Sequence, residues 1–424
     1  MTISSGSHSR RSSRTPRSAA DAGRHPRAWL LARVLLVVGV LAAVAAALSG
    51  DDRREPRGAQ PAEVRGPLDL DRAELLGFVK QGFRGRTDFS RHAVPLTDFV
   101  PAGPPRDGIP PIDAPRFVSV GQAETFLSRA EPVAVLELGG EVRAYPLQIL
   151  VWHEIVNDRV AGRPVAVTYC PLCNSTVAFS RALGDRTLDF GTTGVLRNSD
   201  LVMYDRQTAT WWQQLTGEAV VGELTGHRLR PLASQILSWR RFRDLHPGGR
   251  VLSRDTGVER DYGSTPYVLY EGSNDPYLFG GRIDRTLPAT ERVAAVPLGP
   301  GRAVVYPFSR LRREAPINDA VGTRSIVVFF DPGVASPLDD ATISDGERVG
   351  AAAVFSRSLD AAKLSFEPGS EPGTFRDRRT GSLWTMTGRA VVGPLTGRRL
   401  RPLRHDDQFW FALAAFFPQA EIRR

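Results

Sequence analysis

The chain has 424 residues, 42% of them hydrophobic and 24% charged, which gives enough apolar content for more than one core and excludes wholesale disorder. Its two cysteines, Cys170 and Cys173, exclude a disulfide-stapled scaffold and any zinc or iron–sulfur site built from cysteine alone. The net charge of +9 would suit a nucleic-acid binder, but residues 1–33 hold seven arginines and one aspartate, six of the nine charges. No basic aromatic platform is left elsewhere, so no nucleic-acid partner is expected.

In chain order, residues 1–28 are a basic Ser/Arg/Pro-rich tail with too few apolar residues to order itself. Residues 29–48 are apolar apart from Arg33 and long enough to cross a bilayer as one helix. The arginines before that segment orient it with the N-terminus cytoplasmic and the bulk of the chain extracytoplasmic, at the cell membrane as a single-pass protein. The competing reading is a signal peptide with Val34–Leu48 as its apolar region, cut after Ala45 or Ala47, and a secreted product. Residues 49–67 read as a charged linker and 68–111 as an extended arm, proline-rich over 101–115.

Beyond the arm the sequence repeats itself. Asp205-Arg-Gln-Thr-Ala-Thr-Trp-Trp212 returns as Asp377-Arg-Arg-Thr-Gly-Ser-Leu-Trp384, and Leu224-Thr-Gly-His-Arg-Leu-Arg-Pro-Leu232 as Leu395-Thr-Gly-Arg-Arg-Leu-Arg-Pro-Leu403. Tyr145-Pro146, Asn157-Asp158 and Phe179-Ser-Arg181 return as Tyr306-Pro307, Asn318-Asp319 and Phe355-Ser-Arg357. Two homologous lobes from an internal duplication are expected, 112–252 and 283–422, joined by a tyrosine-rich connector at 253–282. Alternating strands such as 133–138 and 141–145 around Gly139-Gly140 dominate each lobe. Helices are expected at 122–129, at 146–152 and in an aromatic patch near the end of each lobe. The fold class is therefore α+β, mainly antiparallel β, after one N-terminal transmembrane helix.

Aligned from Tyr145 and Tyr306, the second copy replaces His153 by Glu314, Glu154 by Ala315, Cys170 by Asp331 and Cys173 by Val334. Joint loss of a histidine and both thiols points to a site in the first lobe and a degenerate second one. The residues around them, Trp152-His-Glu-Ile-Val-Asn-Asp158, Val167-Thr-Tyr-Cys-Pro-Leu-Cys-Asn174 and Asn198-Ser-Asp-Leu-Val-Met-Tyr-Asp205, closely resemble a widespread prokaryotic family of proteins of unknown function. The resemblance runs from about Gly103 to the C-terminus. It implies exported or membrane-anchored chains and brings no activity, substrate or cofactor with it.

The residues themselves leave several chemistries open. As a metal site, His153, Cys170 and Cys173 are three soft donors with Met203 or Glu154 for a fourth position, a set that suits copper(I) or zinc. As a redox pair, Cys170-Pro-Leu-Cys173 has the spacing of a thiol–disulfide motif, but the following 175–180 reads as strand rather than the helix that lowers a thiol pKa. As a covalent dyad, Cys170 is the nucleophile and His153 the base, oriented by Glu154 or Asp158. A binding or assembly module with no chemistry is the remaining alternative. His153-Glu154 is no zinc-protease motif, because Asn157 stands where the second histidine belongs. Trp212 recurs in the lobe without cysteines and is assigned to the core.

Overall fold

The computed structural model describes Gly77 and residues 82–424. The expected tail at 1–28, apolar segment at 29–48 and linker at 49–67, with the start of the arm, lie outside the described residues. Among the described residues no helix is long and apolar enough to cross a membrane.

The first half builds β1 (Phe99–Pro101), β2 (Phe117–Ser119), α1 (Val120–Ala123), β3 (Pro132–Leu138), β4 (Glu141–Pro146), α2 (Leu147–His153), β5 (Ile155–Val160), β6 (Arg163–Cys170), β7 (Ser175–Ser180), β8 (Phe190–Arg197), β9 (Asp200–Asp205), β10 (Trp211–Gln213), β11 (Ala219–Val221), β12 (Pro231–Leu232), β13 (Ser234–Ser238), α3 (Trp239–Leu245) and β14 (Arg250–Leu252). The second half adds β15 (Arg292–Gly299), β16 (Arg302–Pro307), α4 (Phe308–Glu314), β17 (Ile317–Val321), β18 (Arg324–Asp331), β19 (Ala351–Ser356), β20 (Phe366–Pro368), β21 (Thr374–Asp377), β22 (Leu383–Thr385), β23 (Ala390–Val392), β24 (Asp406–Phe409), α5 (Trp410–Phe416) and β25 (Glu421–Ile422). The fold is mainly antiparallel β with few, short helices.

The sheets run β13-β3-β4-β14-β2, β12-β7-β6-β5 and β1-β8-β9-β10-β11 in the first half, and β24-β15-β16-β25, β17-β18-β19 and β20-β21-β22-β23 in the second. Each half contains one parallel pairing in the corresponding place, β14 on β4 and β25 on β16. The β3–β4 hairpin turns at Gly139 and Gly140, whose φ of 60° and 87° are open to glycine at no steric cost.

The same buried polar anchors hold both halves. Asp205 accepts from the Thr208 amide at 2.7 Å and from Trp212 Nε1 at 2.9 Å, and Asp377 does so from the Thr380 amide at 2.7 Å and Trp384 Nε1 at 3.0 Å. Tyr145 donates to Asp158 at 2.6 Å as Tyr306 donates to Asp319 at 2.7 Å. Asn157 bonds both backbone groups of Phe190, and Asn318 those of Phe366. A buried indole or phenol needs such a partner, which explains why these residues recur where surface residues do not. Trp212, completely buried, is core as its recurrence predicts.

The halves exchange their ends. Trp239 and Phe242 of α3 join a core with Phe329, Phe355 and Trp384 of the second half, while Phe409, Phe411 and Ala412 around α5 join the first-half core that contains both cysteines. The expected helix at 122–129 is only one turn, Val120–Ala123, capped by the reciprocal Ser119–Gln122 bonds. Beyond it Glu131 folds back to accept the Ser128 amide at 2.8 Å. The arm runs along the first half as β1 and as a bridge from Ile112 to Val156. The connector touches both halves: Tyr270 donates to the Leu172 carbonyl, and the Leu269 amide to that of Asp339.

Candidate functional site

Strands β6 and β7 are joined by a tight turn with Cys170 paired opposite Ser175, so the two thiols are drawn to one side of the strand ends. Asn174 takes the left-handed conformation that closes this turn, with φ of 52°. Strands β8 and β9 meet at a second tight turn, Asn198-Ser199, with φ of 53° and 58°, which delivers Asp200 to the same place. Ligand atoms of Cys170, Cys173 and Asp200 lie within 4.8 Å of one another, and all three residues are buried.

Each group is held in position. The Cys173 thiol lies 3.1 Å from Asp200 Oδ1 and 3.0 Å from Ser175 Oγ, and Cys170 Sγ lies 3.5 Å from the Ser199 carbonyl. Asp200 Oδ2 accepts from Gln213 Nε2 at 2.6 Å and from the Leu215 amide at 3.0 Å, which leaves Oδ1 to face the thiols. Ser175 donates to Gln214 Oε1 at 2.8 Å, and Gln214 Nε2 donates to Thr168 at 2.8 Å. Both cysteines are free thiols.

Burial dominates the electrostatics. It raises the Cys170 thiol and pushes Cys173 well above the ordinary thiol value. It lifts Asp200 to about 6 despite its three hydrogen-bond donors. Glu154, which takes a left-handed backbone with φ of 58° at the end of α2, rises to about 8 through burial and then repulsion by Asp200. Among the described residues the Glu154 carboxylate has no hydrogen-bond partner. Arg197, the nearest cation to influence Asp200, is itself engaged by Asp98 at 3.2 Å. Four acidic groups are thus buried together with no guanidinium bonded to any of them.

The expected grouping of His153 with the cysteines is not the one the structure assembles. His153 is fully buried, but Nδ1 bonds the Pro110 carbonyl at 2.7 Å and Nε2 the Tyr262 hydroxyl at 2.6 Å. Both ring nitrogens are bonded by the arm and the connector, and His153 is not grouped with the ligand atoms of Cys170, Cys173 and Asp200. Asp158 does not orient it either, being bonded to Tyr145 and Arg143. Met203 is buried in the apolar cluster that holds both cysteines, opposite Trp212 in the β9–β10 register. Asp200 is the residue that sequence reasoning missed. Its signal was available: an aspartate opening the apolar strand Asp200-Leu-Val-Met-Tyr, inside a recognised motif, where the second half at the same distance before Asp377 has Pro372.

A structural comparison within the chain completes the picture. Strand β18 ends on Asp331 as β6 ends on Cys170, but the segment to β19 is the long loop 332–350, in which Val334 lies. Asp331 is paired with Arg241 at 3.1 Å. Arg241 stands on α3 two residues after Trp239, and Ala412 stands on α5 two residues after Trp410, in the cluster with the cysteines. One half closes this position with an ion pair, the other with thiols under an apolar cover.

No curated protein and no solved structure matches the chain. A family model described as "Protein of unknown function (DUF3179)" matches residues 106–420, and the chain belongs to that family.

Proposed function

We propose that Cys170, Cys173 and Asp200 bind a single borderline divalent cation of the zinc class, with Glu154 as the neighbouring carboxylate that completes the set. The observation that carries this reading is the grouping of two buried thiols and the Asp200 carboxylate, their ligand atoms within 4.8 Å of one another, with no bonded cation and with Glu154 close enough to repel Asp200. Such a cluster is costly to keep charged in a low dielectric, and a metal ion that replaces the thiol protons removes the cost. Two sulfur donors with oxygen donors suit zinc, whereas copper(I) favours sulfur alone.

The other chemistries have less support. A nucleophilic or redox-active cysteine needs a lowered pKa and access, and both thiols are buried with raised values. The matched element order and the Asp205/Asp377 anchors support an internal duplication whose second copy has lost the cation site. For the whole chain we adopt the membrane-anchored, extracytoplasmic arrangement that the apolar segment 29–48 and its flanking arginines support; removal of residues 1–48 then releases the protein into the soluble fraction, and continued membrane retention would refute it.

Elemental analysis of the full-length chain, purified reduced and supplied with zinc, tests the cation reading. One zinc per chain, with both thiols protected from reagent until a chelator is added, is expected. No retained metal, or equal protection of the thiols with and without chelator, would sink it. Uptake of copper(I) that is indifferent to Asp200→Asn would replace zinc by copper.

A further inference from the structure

Resting on the cation reading for its purpose but not for its mechanics, we propose that connector residues 262–278 are a strap that closes the thiol site and must swing away locally for a cation to enter or leave. Three of its fastenings lie beside the site. At its start the Tyr262 hydroxyl bonds His153 Nε2 at 2.6 Å, next in sequence to Glu154. In the middle Tyr270 donates to the carbonyl of Leu172, between the two cysteines, at 2.8 Å. At its end the Tyr277 carbonyl accepts from Ser199 Oγ at 2.7 Å, next to Asp200. Each fastening is thus one residue away from a member of the site or between two of them.

The side chains close the same place. Tyr267, Tyr270 and Leu278 lie against the apolar cluster that contains Cys170 and Cys173, which are 2% and 0% exposed. Tyr267 is near enough to Glu154 and Cys170 for both to disfavour its ionisation.

The strap is also built to come off. Leu269 and Leu278 hold φ of 61° and 55°, a left-handed conformation that bulky side chains rarely adopt. Val268, Leu269 and Tyr277 point apolar surface at solvent, with Leu269 69% exposed. The strap belongs to no named strand; backbone bonds from Thr265, Leu269 and Glu271 to Ala341, Asp339 and Leu338 and the Glu271–Arg292 ion pair tie it to the second half, and the three fastenings above tie it to the site. The role also accounts for His153, whose ring bonds Tyr262 of the strap.

Alkylation of the two thiols by iodoacetamide in the native, reduced, metal-free full-length chain tests the strap apart from any metal. A local opening gives a rate nearly independent of urea below the unfolding transition, and Tyr270→Phe, which deletes one fastening, raises it by about five-fold. Ser199→Ala serves as a second variant with an increase of the same direction. A rate that follows global unfolding with its full urea dependence overturns the strap, as does a rate that neither variant changes. Because no metal is present, failure of zinc to bind leaves this result standing, and failure of the strap leaves the cation analysis standing.

Discussion

Cys170 and Asp331 end equivalent strands, and what surrounds them differs in kind. Around Cys170 the opposite half contributes Ala289, Phe409, Phe411 and Ala412, an apolar cover that leaves acidic groups without a cation. Around Asp331 the opposite half contributes Arg241, and the pair satisfies itself. The scaffold anchors at Asp205 and Asp377 are the same to within 0.1 Å for the indole bond. The fold therefore does not demand the thiols. They stand at a position where the second half has a carboxylate with a built-in arginine, and the proposed cation site rests on that difference.

The largest expected effect separates the two ends directly. Cys170→Ser or Cys173→Ser lowers zinc affinity on the order of a thousand-fold in competition with a chromophoric chelator, whereas Asp331→Asn leaves it unchanged. Equal losses at both ends would break the comparison.

Acidity should act on one end only. Both thiols carry protons in the metal-free protein because burial raises them, so binding must displace at least two protons. Below both thiol values, affinity then falls by about a hundred-fold for each unit of pH, and proton release on binding is measurable by calorimetry in buffers of different ionisation enthalpy. Binding that is flat from pH 8 to 6 would exclude thiolate ligands.

Glu154→Gln separates a ligand role from a structural one. It lowers zinc affinity by about ten- to a hundred-fold, yet stabilises the metal-free protein. The sign follows from its raised value of about 8: between the ordinary carboxylate pKa of 4.5 and 8 the folded state holds a proton that the unfolded state has lost, so stability falls as pH rises through this window. The melting gain of the variant should grow from pH 5 to 8 and level off above. A loss of stability at all pH values would mean that the carboxylate has a partner in the fold.

The smallest effect probes the other end. Arg241→Met leaves Asp331 buried without its cation and costs about 2–4 kcal/mol in urea unfolding, with no change in zinc binding.

Much of the scaffold was legible because repetition and alternation are local signals. The Gly139-Gly140 hairpin, the strand after the cysteines, the terminal aromatic helices and the core assignment of Trp212 all follow from spacing. The exchange of chain ends between halves was not, since nothing in the linear sequence says which half's α3 or α5 covers which core. The site was half legible. The cysteines and Glu154 stood out through their replacement in the second half, but the same logic drew in His153, whose ring bonds Pro110 and Tyr262 instead. Asp200 was hidden because its approach to Cys173 depends on two separate hairpin turns meeting, a contact between residues 27 positions apart.

The most direct test of the central claim is cobalt(II) substitution of the full-length reduced chain, read by absorption. The account predicts one equivalent bound, with a thiolate-to-cobalt charge-transfer band that disappears in Cys170→Ser and persists in Asp331→Asn. A chain that takes up no cobalt after full reduction, or whose band survives loss of Cys170, would contradict it.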